Sequence, residues 1–209
     1  GADALRFTLT ALAVQGRDVK LSESRVEGYR NFGTKIWNAA RFCQMNQCIP
    51  LSNFDPTTTK VYINKWIIGK LKVVCDQIEQ DISSFRYNDI ADHLYHFIWG
   101  TYCDWYLEFA KPVFQGKDED EKSETRATAA WIFDKILHIL HPVMPFITEE
   151  LWQELANDRP CKLIDSKWPE LDSKLVNDLV NSEIDWLVRF ISAIRAIRSE
   201  TNVPSSSMV

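Results

Sequence analysis

The stretch from Leu21 to Phe42 constrains this chain most, because its side chains separate into two faces when it is wound as an α-helix at ~100° per residue. One of these faces repeats apolar or small residues at spacings of three and four. These residues are Val26, Tyr29, Gly33, Ile36, Ala40 and Cys43. The spacing predicts an amphipathic helix whose apolar stripe lies in the core of a helical protein.

The opposite face of this helix is rich in amides and arginines, whereas a solvated face would more usually carry Glu and Lys. It consists of Glu27, Arg30, Asn31, Thr34, Asn38 and Arg41, with Phe42 and Met45 continuing the same side. The net charge of the chain is -5, yet four cations and one Glu lie from Arg25 to Arg41. Amides, arginines and rings can hydrogen-bond to unpaired bases and stack on them. The chemistry of these side chains is equally compatible with an RNA-binding groove and with an ordinary solvated surface.

The rest of the chain also shows helical periodicity, and no segment keeps the period of two that marks a strand. Ser24 and Glu27 form a capping-box pattern at the start of the first long helix, which is predicted to run to about Gln47. Further helices are predicted over residues 3–13, 58–82, 87–109, 123–141, 148–155 and 174–201. Pro112 is expected to end the third of these, residues 115–122 to form an exposed loop, and residues 162–164 a short extended piece. The pattern predicts an all-α fold, an antiparallel helix bundle of about five main helices.

Two pairs of histidines, spaced by three residues on predicted helices, raise the question of a metal site. The pairs are His93/His96 and His138/His141. No Glu precedes a His by three residues, so the Glu-x-x-His pattern of di-metal bundles is absent. Glu149 and Glu150 lie in the first turn of a predicted helix, where carboxylates stabilise the helix dipole. No Gly-rich phosphate loop occurs, and we predict neither a metal site nor a catalytic residue.

An aromatic segment precedes Pro112 and allows two interpretations. It contains Trp99, Tyr102, Trp105, Tyr106 and Phe109. Rings at helical spacing are typical of a core, with polar atoms at the rim, although they could also form a stacking platform. The core interpretation is favoured.

The cysteines indicate the environment of the protein. All five are scattered, with no C-x-x-C, which is typical of reduced thiols. The chain shows no signal-peptide pattern and no uninterrupted apolar run of ~18 residues. These features predict a cytoplasmic protein that does not enter a membrane.

Five segments follow one another along the chain: GADALRF, QGRDVKLSESRVEGYRNFGTKIWNAARF, CDWYLEFAK, HPVMPFITEELWQEL and AIRAIRSETNVP. Together they span nearly the whole chain, and they resemble the C-terminal part of the valyl-tRNA synthetase family of class I aminoacyl-tRNA synthetases. HPVMPFITEELW is shared with the isoleucyl and leucyl relatives, whereas RVEGYRNFGTKIWNAARF resembles the valyl pattern.

The resemblance implies an anticodon-binding domain of the class I synthetase type, a helical bundle beside a catalytic domain. Members of the family activate valine with ATP and Mg, attach it to valine tRNA and hydrolyse mischarged threonine in an editing domain. This chain has neither a HIGH-type nor a KMSKS-type sequence, which implies a fragment that forms no valyl-adenylate and binds no cofactor itself. Residues 1–20 resemble the stem-contact junction from the catalytic core, and residues 21–209 the anticodon-binding domain that precedes a coiled-coil arm.

The partners implied by the resemblance are valine tRNA, bound through its anticodon loop, and the catalytic domain of the same polypeptide. The protein is expected to be a monomer. The RNA-binding residues expected on the first long helix are Arg25, Arg30, Asn31, Phe32, Lys35, Asn38, Arg41 and Phe42. Asn can match a base edge, Arg can contact phosphate or stack, and Phe32 or Phe42 would be the stacking ring. A helical protein-interaction module and an isoleucyl or leucyl anticodon domain remain as alternatives.

Overall fold

The structure, a computed structural model, describes residues 1–14, 16, 18, 20–156 and 158–204. Its α-helices are α1 (Ala2–Leu12), α2 (Glu23–Met45), α3 (Tyr62–Ser83), α4 (Tyr87–Tyr95), α5 (Leu107–Gln115), α6 (Glu119–Leu140), α7 (Pro145–Glu154) and α8 (Asp178–Glu200). A π-helical segment (His96–Tyr106) joins α4 to α5. Short 3-10 turns lie at Pro56–Thr58, Leu163–Asp165 and Ser173–Leu175. No described residue lies in a strand, so the all-α prediction is confirmed.

One apolar core joins the helices. Phe7 of α1, Phe32 of α2, Leu71 of α3, Tyr102 of the π segment and Phe133 of α6 are all fully or almost fully buried in it. Each of these side chains gains a few kcal/mol from leaving water, on the order of 1.5–3 kcal/mol apiece. Because α1 contributes to the same core, it packs directly against α2 and α4. The boundary at residue 20 remains a proposal. None of the described helices combines the length and the apolar character needed to cross a membrane.

The start of α2 differs from the sequence-based expectation. Ser22 is the N-cap residue and the helix begins at Glu23, with no hydrogen bond from a capping side chain. The hydroxyl groups of Ser22 and Ser24 lie 3.2 Å apart and bond to each other. The capping box predicted at Ser24 is therefore wrong, because the helix already includes that residue.

The segment before α6 is also more ordered than predicted. Asp118 caps α6, since its Oδ1 accepts hydrogen bonds from the N–H groups of residues 120 and 121 at 3.0 Å each. Residues 119–122 are therefore helical and not loop. Pro112 lies inside α5, which continues to Gln115. The proline lacks the N–H that would bond within the helix, and α5 ends three residues after it. The extended piece expected at 162–164 is instead the 3-10 turn at Leu163–Asp165.

The π segment and α5 together form one aromatic rod, residues 96–115. The π segment changes which side chains of this rod are buried. Thr101 and Trp105 are partly exposed, whereas Tyr102 and Tyr106 have no exposed surface. The N–H of Leu107 bonds to the carbonyl of Tyr102, five residues back. Because each such turn holds more residues than an α-turn, the buried face moves one position along the chain.

Candidate nucleic-acid interface

The outward face of α2 is open to solvent, as its amphipathic pattern predicts. We call this face the polar face; it comprises Arg30, Asn31, Thr34, Asn38 and Arg41, all exposed. Arg30 lies 3.8 Å from Glu27, with about two thirds of each side chain exposed (63% and 66%). Such a loose surface pair contributes little energy and leaves the guanidinium available to a ligand.

Three residues of the predicted stripe of α2, Ile36, Ala40 and Cys43, are buried as expected, but the stripe differs toward the N-terminal end of the helix. The buried residues are Phe32, Ile36, Ala39, Ala40 and Cys43. Tyr29 and Gly33, which were expected in the stripe, are only half-buried. The reason is tertiary: α2 lies between α1, the π segment, α6 and α7, and these neighbours determine how far round the helix the core extends.

Phe32 is consequently not available as a stacking ring. Its side chain has no exposed surface, and its ring centroid lies 5.1 Å from those of both Phe7 and Tyr95. A base cannot reach a ring that is enclosed by other rings. The expectation that Phe32 is an RNA-stacking candidate is therefore wrong, and Phe42 remains the candidate on α2.

Four of the expected residues form a row on the surface of α2, and two of them, Lys35 and Phe42, contact the π segment and α5. We call this row the α2 ridge; it comprises Asn31, Lys35, Asn38 and Phe42, at successive spacings of four, three and four. Lys35 Nζ donates a hydrogen bond to Asp104 Oδ1 of the π segment at 2.7 Å. The ring of Phe42 packs 6.1 Å from Phe114 of α5 and keeps part of its surface exposed.

Lys35 is held between a carboxylate and an aromatic ring. Its Nζ lies 5.4 Å from the ring centroid of Trp99 in addition to its bond with Asp104. The hydrogen bond that Lys35 donates to Asp104 raises the pKa of Lys35 above its usual value, against a smaller opposing effect of burial. Lys35 is therefore a fixed cation at neutral pH, positioned at the edge of an aromatic surface.

Arg25 lies in the first turn of α2 and is exposed. It borders a cavity of about 430 Å³ between α2 and α4, together with Tyr29, Tyr95 and His96. Within the part of the chain that the structure describes, neither Arg25 nor Arg41 forms an ion pair with a carboxylate. Both guanidinium groups are thus free to neutralise phosphate.

Arg30 faces another way. It borders a cavity of about 520 Å³ between α1, α2 and α7, whose lining includes Trp37, Phe146 and Ile147 and is mainly apolar. The structure therefore does not bring Arg30 together with Lys35 and Phe42. The expected residues divide between two borders of α2, with Asn31, Asn38 and Arg41 exposed between them.

Three residues that sequence analysis did not select also border the α2 ridge. Trp99 and Asp104 contact Lys35, and the ammonium of Lys111 lies 5.9 Å from the ring centroid of Phe42. All three belong to the aromatic rod 96–115. The sequence signal was present in the aromatic segment, but an assumed period of 3.6 residues cannot show which of its rings point outward in a π-helix.

The core interpretation of that segment is correct for its two tyrosines. Tyr102 and Tyr106 are fully buried, and their hydroxyl groups donate to the carbonyl of Ala129 at 3.1 Å and to Asn64 Oδ1 at 3.0 Å. Burial raises the pKa of both hydroxyls well above its usual value, so they remain donors. Trp105 is half-buried beneath Arg195, whose guanidinium lies 5.0 Å from its ring centroid.

Each histidine has its own partner. Their nitrogens lie 3.2 Å from Asp81 (His93), 3.2 Å from Asp92 (His96), 2.7 Å from the carbonyl of Asp134 (His138) and 2.8 Å from Thr148 (His141). Burial lowers the pKa of His138 and His141 below 6.5. Among the described residues, no group of three or more His, Cys, Asp or Glu could hold a metal ion. All five cysteines are free thiols.

Comparison with known proteins assigns a family to the chain. The anticodon-binding domain of tRNA ligase matches residues 64–209. A valine–tRNA ligase of Caulobacter vibrioides is 51% identical over 210 residues, covering 99% of this chain and 23% of that protein. The valine–tRNA ligases of Zymomonas mobilis and Nitrobacter winogradskyi are 49% and 46% identical and cover 100% of this chain. The chain spans about a quarter of the length of these curated relatives (23%, 24% and 25%).

The family match begins inside α3, so α2 lies outside it. The similarity of α2 to known proteins rests instead on the relatives whose alignments cover the full chain. The family-model match therefore concerns other residues than those of the α2 ridge.

Proposed function

The chain belongs to the family of anticodon-binding domains of tRNA ligases, and we propose that it recognises the anticodon loop of valine tRNA through α2. The names of its relatives support the choice of valine. The observation that carries the proposal is the α2 ridge, where two exposed amides, a partly exposed cation and a partly exposed ring lie beside a second aromatic helix.

The chemistry of the α2 ridge suits a single-stranded loop. Anticodon bases are unpaired, so their hydrogen-bonding edges are accessible and the bases can be splayed onto side chains. Asn31 and Asn38 each offer donors and an acceptor to a base edge. Phe42 offers a stacking surface of ~1–3 kcal/mol per base, and Lys35 and Arg41 offer charge to the phosphates.

The proposal includes a place in a larger enzyme. In it, this domain positions the tRNA while a catalytic domain of the same polypeptide attaches valine with ATP and Mg, and another domain edits mischarged tRNA. Residues 1–20 would form the junction and residues 21–209 the anticodon domain of a monomeric, cytoplasmic valine–tRNA ligase. We expect the chain itself to show no valine-dependent ATP–pyrophosphate exchange, and turnover by the purified chain would contradict this part.

Binding of anticodon stem-loops tests the proposal directly. Valine, isoleucine and leucine stem-loops are titrated with the chain by filter binding at several salt concentrations. We expect the valine stem-loop to bind tightest and its affinity to fall with a steep log–log salt slope. A preference for the isoleucine or leucine loop would assign the domain to those relatives instead.

Single variants test the exposed residues of α2. Asn38→Ala and Arg30→Ala are each expected to weaken binding by ~1–3 kcal/mol with little change in thermal stability, because both side chains are exposed. The matched controls are Asn53→Ala and Arg189→Ala, which remove the same exposed groups from the loop after α2 and from α8. Unchanged affinity in both test variants would remove α2 from the site.

A protein-docking role is the second candidate, and the cavity beside Arg30 is the observation that favours it. Its lining of Trp37, Phe146 and Ile147 is apolar enough to receive another protein surface. Salt separates the two roles, because RNA binding weakens steeply with salt whereas an apolar interface does not.

A further inference from the structure

Trp99 is a partly exposed ring whose orientation is fixed from behind. Its centroid lies 6.3 Å from that of Phe32 at an interplanar angle of 17°, and 5.6 Å from that of Tyr95 at 30°. Both neighbours are themselves packed in the aromatic core between α2 and the rod. An indole supported in this way can receive a stacked base without first having to be ordered, which lowers the entropic cost of binding.

Lys35 covers this ring in the free protein. Its ammonium lies 5.4 Å from the Trp99 centroid, and Asp104 holds it there through a 2.7 Å hydrogen bond. About a third of the Lys35 side chain (34%) and 43% of that of Asp104 are exposed. An ion pair with this much solvent contact contributes only ~0–1 kcal/mol, so a competing anion can replace the carboxylate.

We propose that Trp99 and Lys35 form a binding site for one unpaired nucleotide of the RNA, and that Asp104 keeps this site closed in the free protein. A phosphate takes the ammonium from Asp104, Lys35 moves off the ring, and the base of the same or the adjacent nucleotide stacks on Trp99. Asp104 is then a positioning residue that lowers affinity by competing with phosphate. The inference rests on the proposed function and adds to it a second stacking ring, distinct from Phe42.

The competition predicts a gain of function. Asp104→Asn removes the charge that holds Lys35 but retains the size of the side chain, so we expect the valine stem-loop to bind about threefold tighter. Asp92→Asn is the control, because it removes an equal, exposed charge from the adjoining helix α4 without touching Lys35. We expect it to change affinity less.

A double-mutant cycle isolates the role of Lys35. Lys35→Met is expected to reduce the log–log salt slope by about 1, since one phosphate contact is lost. In the Lys35→Met background, Asp104→Asn is expected to change affinity no more than Asp92→Asn does. If Asp104→Asn still raised the affinity for the stem-loop without Lys35, its effect would be a general charge effect, and the proposal that Asp104 keeps the site closed would be overturned.

The ring is tested through the RNA as well as through the protein. Trp99→Leu is expected to weaken binding about tenfold, with Trp99→Phe in between. Abasic nucleotides placed one at a time in the loop should reveal one position at which Trp99→Leu causes no further loss. Equal penalties at every position would show that no base stacks on Trp99.

The outcomes separate this inference from the proposed function. A wild-type chain that binds no anticodon stem-loop refutes both. A wild-type chain that binds, with Asp104→Asn unchanged or weaker than wild type, refutes the inference alone. Far-ultraviolet circular dichroism of each variant confirms that the helices are intact, and Asp104→Asn tests the proposal even if Trp99→Leu fails to fold.

Discussion

Truncating Phe32 should destabilise the protein far more than truncating Phe42, although both rings belong to α2. Phe32 has no exposed surface, and its ring packs against those of Phe7, Tyr95 and Trp99 at centroid distances of 5.1, 5.1 and 6.3 Å. Phe32→Ala loses the transfer free energy of the whole ring and leaves a cavity among groups that cannot all move inward. We therefore expect its free energy of unfolding to fall by ~3–5 kcal/mol.

Phe42 differs because part of its ring remains in solvent. Its main aromatic neighbour is Phe114, at 6.1 Å, so truncation loses a partial contact and opens no enclosed cavity. We expect Phe42→Ala to cost ~1–2 kcal/mol in stability and to lose ~1–3 kcal/mol of base stacking in stem-loop binding. Phe146→Ala, which truncates a largely exposed ring of α7 (65%), is the control, with an expected cost below ~0.5 kcal/mol.

Urea unfolding followed by circular dichroism measures all three changes. A domain of this kind is stable by ~5–15 kcal/mol, so the loss expected for Phe32→Ala is a large fraction of the total and shifts the midpoint clearly. Equal losses for Phe32→Ala and Phe42→Ala would refute the reasoning, since it assigns one ring to the core and the other to the surface.

Two further predictions concern the contacts of α6. Asp134 forms an ion pair with Arg159 through two hydrogen bonds of 2.7 and 2.8 Å, and their side chains are only 15% and 11% exposed. Arg159→Met should therefore lower the free energy of unfolding in urea by ~3–5 kcal/mol, because it leaves a buried carboxylate unpaired. Adding Asp134→Leu should recover part of this loss. A loss below about 1 kcal/mol would contradict this. Burial lowers the pKa of His138 below its usual value of 6.5, so the unfolded chain binds the proton more tightly than the folded chain. The contribution of His138 to stability is therefore complete above about pH 6.5 and is lost as the pH falls below that value. His138→Gln should flatten this fall relative to His96→Gln, an exposed control, and identical profiles would exclude His138 as a source.

The helices and the polar face of α2 could be predicted from the sequence because both depend on local spacing. A helix places residues three and four apart on one side whatever surrounds it, so the exposure of Asn31, Asn38 and Arg41 follows from the order of residues alone. The end of α5 could not be placed in the same way, because Pro112 is tolerated in its last turn.

Tertiary structure determines which aromatic rings are exposed to solvent. Phe32 and Phe42 are the same residue type on one helix, and only the neighbours contributed by α1, the π segment and α5 make one of them core and the other surface. Trp99 is partly exposed, and only the packing of α2 against the π segment places Lys35 over its ring.

The sequence by itself determined that the chain is helical, which face of α2 is polar, and which family it resembles, since these depend on residue order. Only the tertiary structure placed Asp104 beside Lys35, 69 positions away in the chain, and set both against Trp99. The physical reason is that an ion pair and a stacked ring are contacts between helices. Their partners are chosen by how the helices pack, which local spacing does not specify.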